Sequence, residues 1–168
     1  MYSRFLSYLK FLLHSKNEHG VHSPFIFKYV TRCLYAKKKY SKDKAQNVVL
    51  KSLEYFQCQS FTIVPPSRDF ESEVKKNFPT IAVEPISVDL IYIADFTEDI
   101  LQTYVHNNKK VRNDTVVILG HIYKNRDSAL LWQKLKESDK VKVTVDMYHC
   151  AALFFRREQV KEHFKIRI

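Results

Sequence analysis

Asp95 and His121 have the types and the positions to do chemistry. Each closes an apolar run rich in β-branched residues, 88–94 and 115–119. Such runs read as strands buried on both faces of a sheet. Asp95 and Gly120-His121 then stand at carboxyl ends of strands, where open α/β sheets hold their ligands. A carboxylate and an imidazole converging there make an acid–base pair or part of a transition-metal site. One certain oxygen ligand is too few for Mg²⁺ or Ca²⁺, so no metal is expected.

Other chemistry-bearing residues have local explanations. Cys150 beside His149 has the types of a nucleophile and its base, but the two are neighbours in an expected turn with no orienting acid. His14, His19 and His22 cluster around Gly20, which reads as capping and packing. The basic run 37–44, with Tyr35 and Tyr40 as stacking rings, is either a solvated connector or a nucleic-acid surface. Arg156, Arg157, Lys165 and Arg167 form a basic end for an anionic partner or a solvated edge.

The elements that must position Asp95 and His121 follow from the hydrophobic pattern. Helices are expected over 2–15, from Ser23-Pro24 to about Tyr35, and through Val48–Phe56. After residue 60 the period changes. Strand 61–64 ends at Pro65-Pro66, Ser67 caps a helix, and 80–84 is strand-like. Only three residues separate Glu84 from Val88, too few for a parallel crossover. Residues 80–84 are therefore expected as an antiparallel edge strand or an extended connector. A helix follows from Thr97 to about Lys109, and another spans 126–137. Residues 142–146 alternate as an antiparallel strand should, and a five-residue link (147–151) returns the chain through 153–155 as a hairpin. The end, 163–168, is extended. The pattern predicts a mostly parallel α/β sheet with a C-terminal antiparallel hairpin (58–168) and an N-terminal helical cap (1–57).

Composition narrows the function classes. With 168 residues and 45% apolar content, one domain can bury a core without disulfides or metals. Gly 2 is far below average usage, so glycine-built phosphate loops are scarce. The net charge of +10 attracts polyanions without specifying a fold. Three cysteines without metal spacing read as reduced thiols, and the charged first helix is neither signal peptide nor membrane span. A cytoplasmic protein without membrane contact is expected. Its partner would be a small molecule or a protein, a second copy included.

Several phrases are similar to a known family. They are residues 8–11, 19–25 and 34–35, the stretch 88–95, and 114–168 with Phe154-Phe155-Arg156-Arg157-Glu158-Gln159 and Glu162-His163-Phe164. On these the chain resembles the class I S-adenosylmethionine-dependent methyltransferases, in a Bacteroidetes-type, O-methyltransferase-like group. The resemblance implies a Rossmann-like sheet. It puts Ser67, Glu84, Asp95 and Phe96 at the cofactor pocket, with Glu84 as the acid for the ribose hydroxyls; Asp95 and His121, converging from neighbouring strand ends, would be the catalytic pair of an active enzyme. The departures fall at the same place. Pro65-Pro66-Ser67-Arg68 replaces a glycine-rich loop, Phe96-Thr97-Glu98 follows Asp95, and Gly120-His121 stands where the family has paired acids. A shortened, degraded site is therefore expected, in a non-catalytic binding or regulatory module that holds no cofactor. The alternatives are an active S-adenosylmethionine-dependent O-methyltransferase acting on a small molecule, and a nucleic-acid-binding module using 37–44.

Overall fold

The computed structural model describes residues 4–17, 20–83, 88–107, 109 and 111–168. At its centre is β3 (Leu90–Ile93), buried at every residue. It pairs in parallel with β1 (Ser60–Val64) on one side and β4 (Val116–Gly120) on the other. Outside β1 lies β2 (Ala82–Val83), also parallel. Beyond β4, β6 (Cys150–Phe154) runs antiparallel, followed by β5 (Val143–Asp146) and β7 (Glu162–Lys165). The sheet order is β2-β1-β3-β4-β6-β5-β7. This is the mostly parallel, Rossmann-like α/β sheet with a C-terminal antiparallel hairpin that the pattern implies.

Period two sorts the strand residues onto two cores. Leu90, Tyr92, Val116 and Ile118 face one, while Ile91, Ile93, Val117 and Leu119 face the other. The first face is covered by α2 (Pro24–Tyr29), α3 (Lys44–Tyr55) and α4 (Arg68–Asn77), through Ile26, Tyr29, Val49, Leu50, Phe70 and Val74. The N-terminal helices α2 and α3 thus form part of a layer against the sheet. The second face is covered by α5 (Glu98–Leu101) and α6 (Arg126–Glu137), through Leu101, Trp132 and Leu135. π-helical turns extend α2 to Leu34 and α5 to His106. Helix starts follow the expected chemistry: Ser23, Asp43, Ser67, Thr97 and Asn125 each accept a hydrogen bond from a first-turn N–H. Helix α1 (Arg4–His14) buries Phe11, whose ring lies 5.5 Å from Tyr148, and leaves Phe5, Leu6, Leu9 and Leu13 exposed. No helix among the described residues is long and apolar enough to cross a membrane.

Three expectations are corrected. First, β2 is parallel to β1, neither antiparallel nor unpaired. The crossover rule assumes a full-height strand, but β2 is two residues long and pairs only with Ser60 and Phe61, at the foot of β1. Leu90 pairs with the same Phe61 from the other side. Val83 and Leu90 thus flank Phe61 at one height, about 10 Å apart across two strand spacings, so no full-height crossover is needed between them. Second, the hairpin link is tighter than five residues. It holds Met147, Tyr148 and His149, with Tyr148 at φ 67°, and Cys150 belongs to β6. Third, alternation in β5 does not expose its polar face. Thr144 and Asp146 are 1% and 2% exposed because α6 and β7 cover them.

A carboxylate ties the foot of the sheet together. Asp89 accepts from the backbone N–H groups of Gln59 (2.8 Å) and Ser60 (3.0 Å) with one oxygen and from the Arg112 guanidinium with the other. Its own N–H donates to Ser60 Oγ at 2.8 Å. Partial burial would raise its pKa, but the hydrogen bonds from Gln59 and Ser60 and the Arg112 charge outweigh it and hold the carboxyl below its usual range. Asp89→Ala is expected to cost about 2–3 kcal/mol in urea unfolding, since both N–H groups lose a charged acceptor. The depressed pKa means that this contribution is fully present above the unfolded-state value, about 3.9, and is lost as pH falls through the lower folded-state value. Asp89→Asn should accordingly flatten the acid limb of the stability curve, and an unchanged limb would contradict the assignment.

Candidate functional site

The chain reverses direction across the sheet at β1: β2 is laid down on one side of it and β3 on the other. In open α/β sheets the crevice outside the carboxyl ends at such a reversal is the ligand site. Here the crevice is bounded by Val64-Pro65-Pro66-Ser67 after β1 and Ala94-Asp95-Phe96 after β3, with Gly120-His121 after β4.

Each predicted residue but Glu84 has a definite place. Ser67 is the N-cap of α4, its hydroxyl accepting from Phe70 N–H at 3.4 Å. Pro65 and Pro66 carry no N–H to offer a ligand. The first turn of α4 holds Asp69 and Glu71, which use the positive helix end internally. Asp95 is solvent-facing and pairs with Lys124 Nζ at 2.8 Å. Phe96 turns into the second core at 5% exposure. Glu84 lies outside the described residues. His121 is exposed and adopts φ 52°, a region rare outside glycine. Its N–H donates to His149 O at 2.8 Å and its carbonyl accepts from Lys124 N–H. The polar partner of Asp95 is thus Lys124, and no hydrogen bond joins it to His121 among the described residues.

Packing explains the glycine at position 120. A Cβ there would lie 2.8 Å from Ala94 O and 3.1 Å from the Tyr92 hydroxyl. Tyr92 rises from β3 beneath α4, its ring 5.5 Å from Phe70, and burial pushes its pKa up, so the hydroxyl stays neutral. A side chain at position 120 would meet a phenol and a carbonyl.

The remaining candidates separate in the fold. Cys150 is fully buried, and burial raises its thiol pKa well above the ordinary value, the opposite of an activated nucleophile. Burial likewise raises Cys33 and Cys58 to about 12. His14 bonds the Lys10 carbonyl at 2.8 Å and lines an open cleft with His22 and His163, while His19 lies outside the described residues. No group of three or more His, Cys, Asp or Glu residues able to hold a metal occurs among the described residues.

Two features had no sequence signal. Asp146, at the end of β5, accepts from the Tyr123 hydroxyl, Trp132 Nε1 at 3.4 Å and Tyr148 N–H at 2.9 Å. Burial raises its pKa against the lowering effect of these donors. A cleft of about 570 Å³ also opens at the amino ends of the strands, between Phe25, Phe56, Phe154, Asp89, Asp114 and Arg156. Its charges are engaged: Asp114 accepts from Arg156 at 2.7 and 3.0 Å, and that guanidinium lies 4.7 Å above the Phe25 ring. Removing the acceptor in Asp146→Ala is expected to destabilise the chain by about 3 kcal/mol in denaturant titration, and a loss near zero would show that water replaces it.

The fold defines a Rossmann-like α/β protein. No protein-family model matches the chain, and no curated protein matches it.

Proposed function

We propose that the chain is a methyltransferase-like scaffold that does not transfer methyl groups and serves as a non-catalytic binding or regulatory module. The observation that carries this reading is the state of the carboxyl-end crevice. The loop after β1 offers two prolines and a serine engaged as a helix cap. Phe96 lies in the core, and Gly120 is pressed against Ala94 and Tyr92. S-Adenosylmethionine combines an ammonium and a carboxylate with a ribose diol and an adenine ring, and needs many donors and acceptors converging on an enclosed pocket. The donor-poor loop and the two-residue β2 supply few of them. The exposed Phe5, Leu6, Leu9 and Leu13 of α1 are where a protein partner, a second copy included, would be held. Calorimetric titration with S-adenosylmethionine is expected to give no saturable heat, and micromolar binding would overturn the proposal.

One observation favours a second reading, an active S-adenosylmethionine-dependent O-methyltransferase acting on a small molecule. His121 holds a left-handed backbone at a strand end, and such strain concentrates at functional sites. Asp95 and His121 would then be the acid–base groups. This reading requires turnover on some hydroxyl acceptor that Asp95→Ala and His121→Ala each reduce by about a hundredfold or more. An acceptor panel without turnover removes it.

A further inference from the structure

As the basic run 37–44 turns into α3 it walls a cleft of about 220 Å³, lined by Lys39, Lys42, Lys44 and Lys51 among polar groups and closed by Leu34 and Ile168. Lys51 is the unusual member. It is 9% exposed, and its Nζ donates to the carbonyls of Leu34 (2.9 Å) and Ala36 (2.7 Å). Both are carbonyls at the carboxyl end of the helix that closes at Leu34, where the helix dipole favours a cation. Here no carboxylate pairs with Lys51, nor with Lys39, Lys42 or Lys44, among the described residues.

The rest of the lining has the same sense. Asn47 Oδ1 is used by the N–H groups of Tyr40 (2.8 Å) and Ser41 (3.3 Å). Ser41 Oγ donates to Gln46 and accepts from Asp43 N–H. Asp43, the acid of the run, is occupied as the α3 N-cap by Gln46 N–H at 2.8 Å. Three ammonium groups without a carboxylate partner among the described residues, those of Lys39, Lys42 and Lys44, therefore stand at a cleft whose Ser41 and Asn47 side chains are already engaged. We propose that this cleft binds a small phosphorylated anion, whose oxygens would accept from the lysines and neutralise Lys51. A polynucleotide fits less well. The Tyr40 ring is packed at 5.8 Å from Phe78 and covered by Lys38 Nζ at 4.5 Å, so it offers no open face to a base.

The proposal does not depend on the carboxyl-end crevice and stands or falls separately from it. The test is titration of the full chain with pyrophosphate at low ionic strength, followed by calorimetry and by amide shifts of residues 39–51. The expected result is saturable binding at one site that weakens with salt. Affinity should fall about tenfold in Lys39→Gln and in Lys42→Gln, each loss equal to one charge-assisted contact. Both lysines are exposed, so the melting temperature of these variants should stay unchanged, and Lys134→Gln on α6 should bind as the parent does. Lys51→Met bears on stability as well as binding, so the two exposed variants decide the matter. The proposal is overturned by an absence of saturable binding at millimolar pyrophosphate, or by equal affinity in the lysine variants and the parent. It is also overturned if a mixed-sequence oligonucleotide binds with length-dependent affinity while pyrophosphate does not.

Discussion

The foot of β3 is held by one carboxylate. Asp89 takes the N–H groups of Gln59 and Ser60 and the Arg112 guanidinium, and so aligns the amino ends of β1 and β3 with the segment that enters β4. That alignment sets Phe61 against Leu90 and Leu90 against Val116. Since side chains alternate, a slip of one residue would exchange the two faces of every central strand. The face under α2, α3 and α4 and the face under α5 and α6 both follow from this register. So does the height at which β1, β3 and β4 emerge at the other end.

At that other end the consequences are chemical. Because Tyr92 points to the first core, its hydroxyl reaches the tops of the strands and meets the backbone at Gly120. Because α4 starts directly after Pro65-Pro66, the serine nearest the crevice is consumed as a cap. Because Phe96 follows Asp95 by one residue, it falls on the core side while Asp95 faces solvent and Lys124. Asp95 and His121 are left as the exposed polar groups at these strand ends, while lysines without a carboxylate partner line the cleft beside α3.

Much of this was legible in residues. The runs 61–64, 88–95 and 115–119 are dense in β-branched and aromatic side chains, and each became a buried strand. Ser23-Pro24, Ser67 and Thr97 announced helix starts through capping chemistry. What could not be read was tertiary. The pairing direction of β2 depended on where along β1 it sits, which spacing does not encode. Asp146 looked like the polar end of an alternating strand because nothing local indicates that Trp132 and Tyr123 close over it. Asp89 stood unremarked inside the run 88–94, and its role appears only once Gln59 and Arg112 arrive from distant segments. The lysine run was visible, but its cleft required Lys51 from the next helix.

The central proposal is that the crevice above residues 64–68 and 95 does not bind S-adenosylmethionine. The most direct measurement is a crystal structure of the chain grown or soaked with saturating S-adenosylmethionine. The account predicts that the backbone of 64–68 keeps its capped conformation and that no ordered adenosine or methionine lies above it. Ordered cofactor in that crevice, contacting Ser67 or Asp95, would contradict the account.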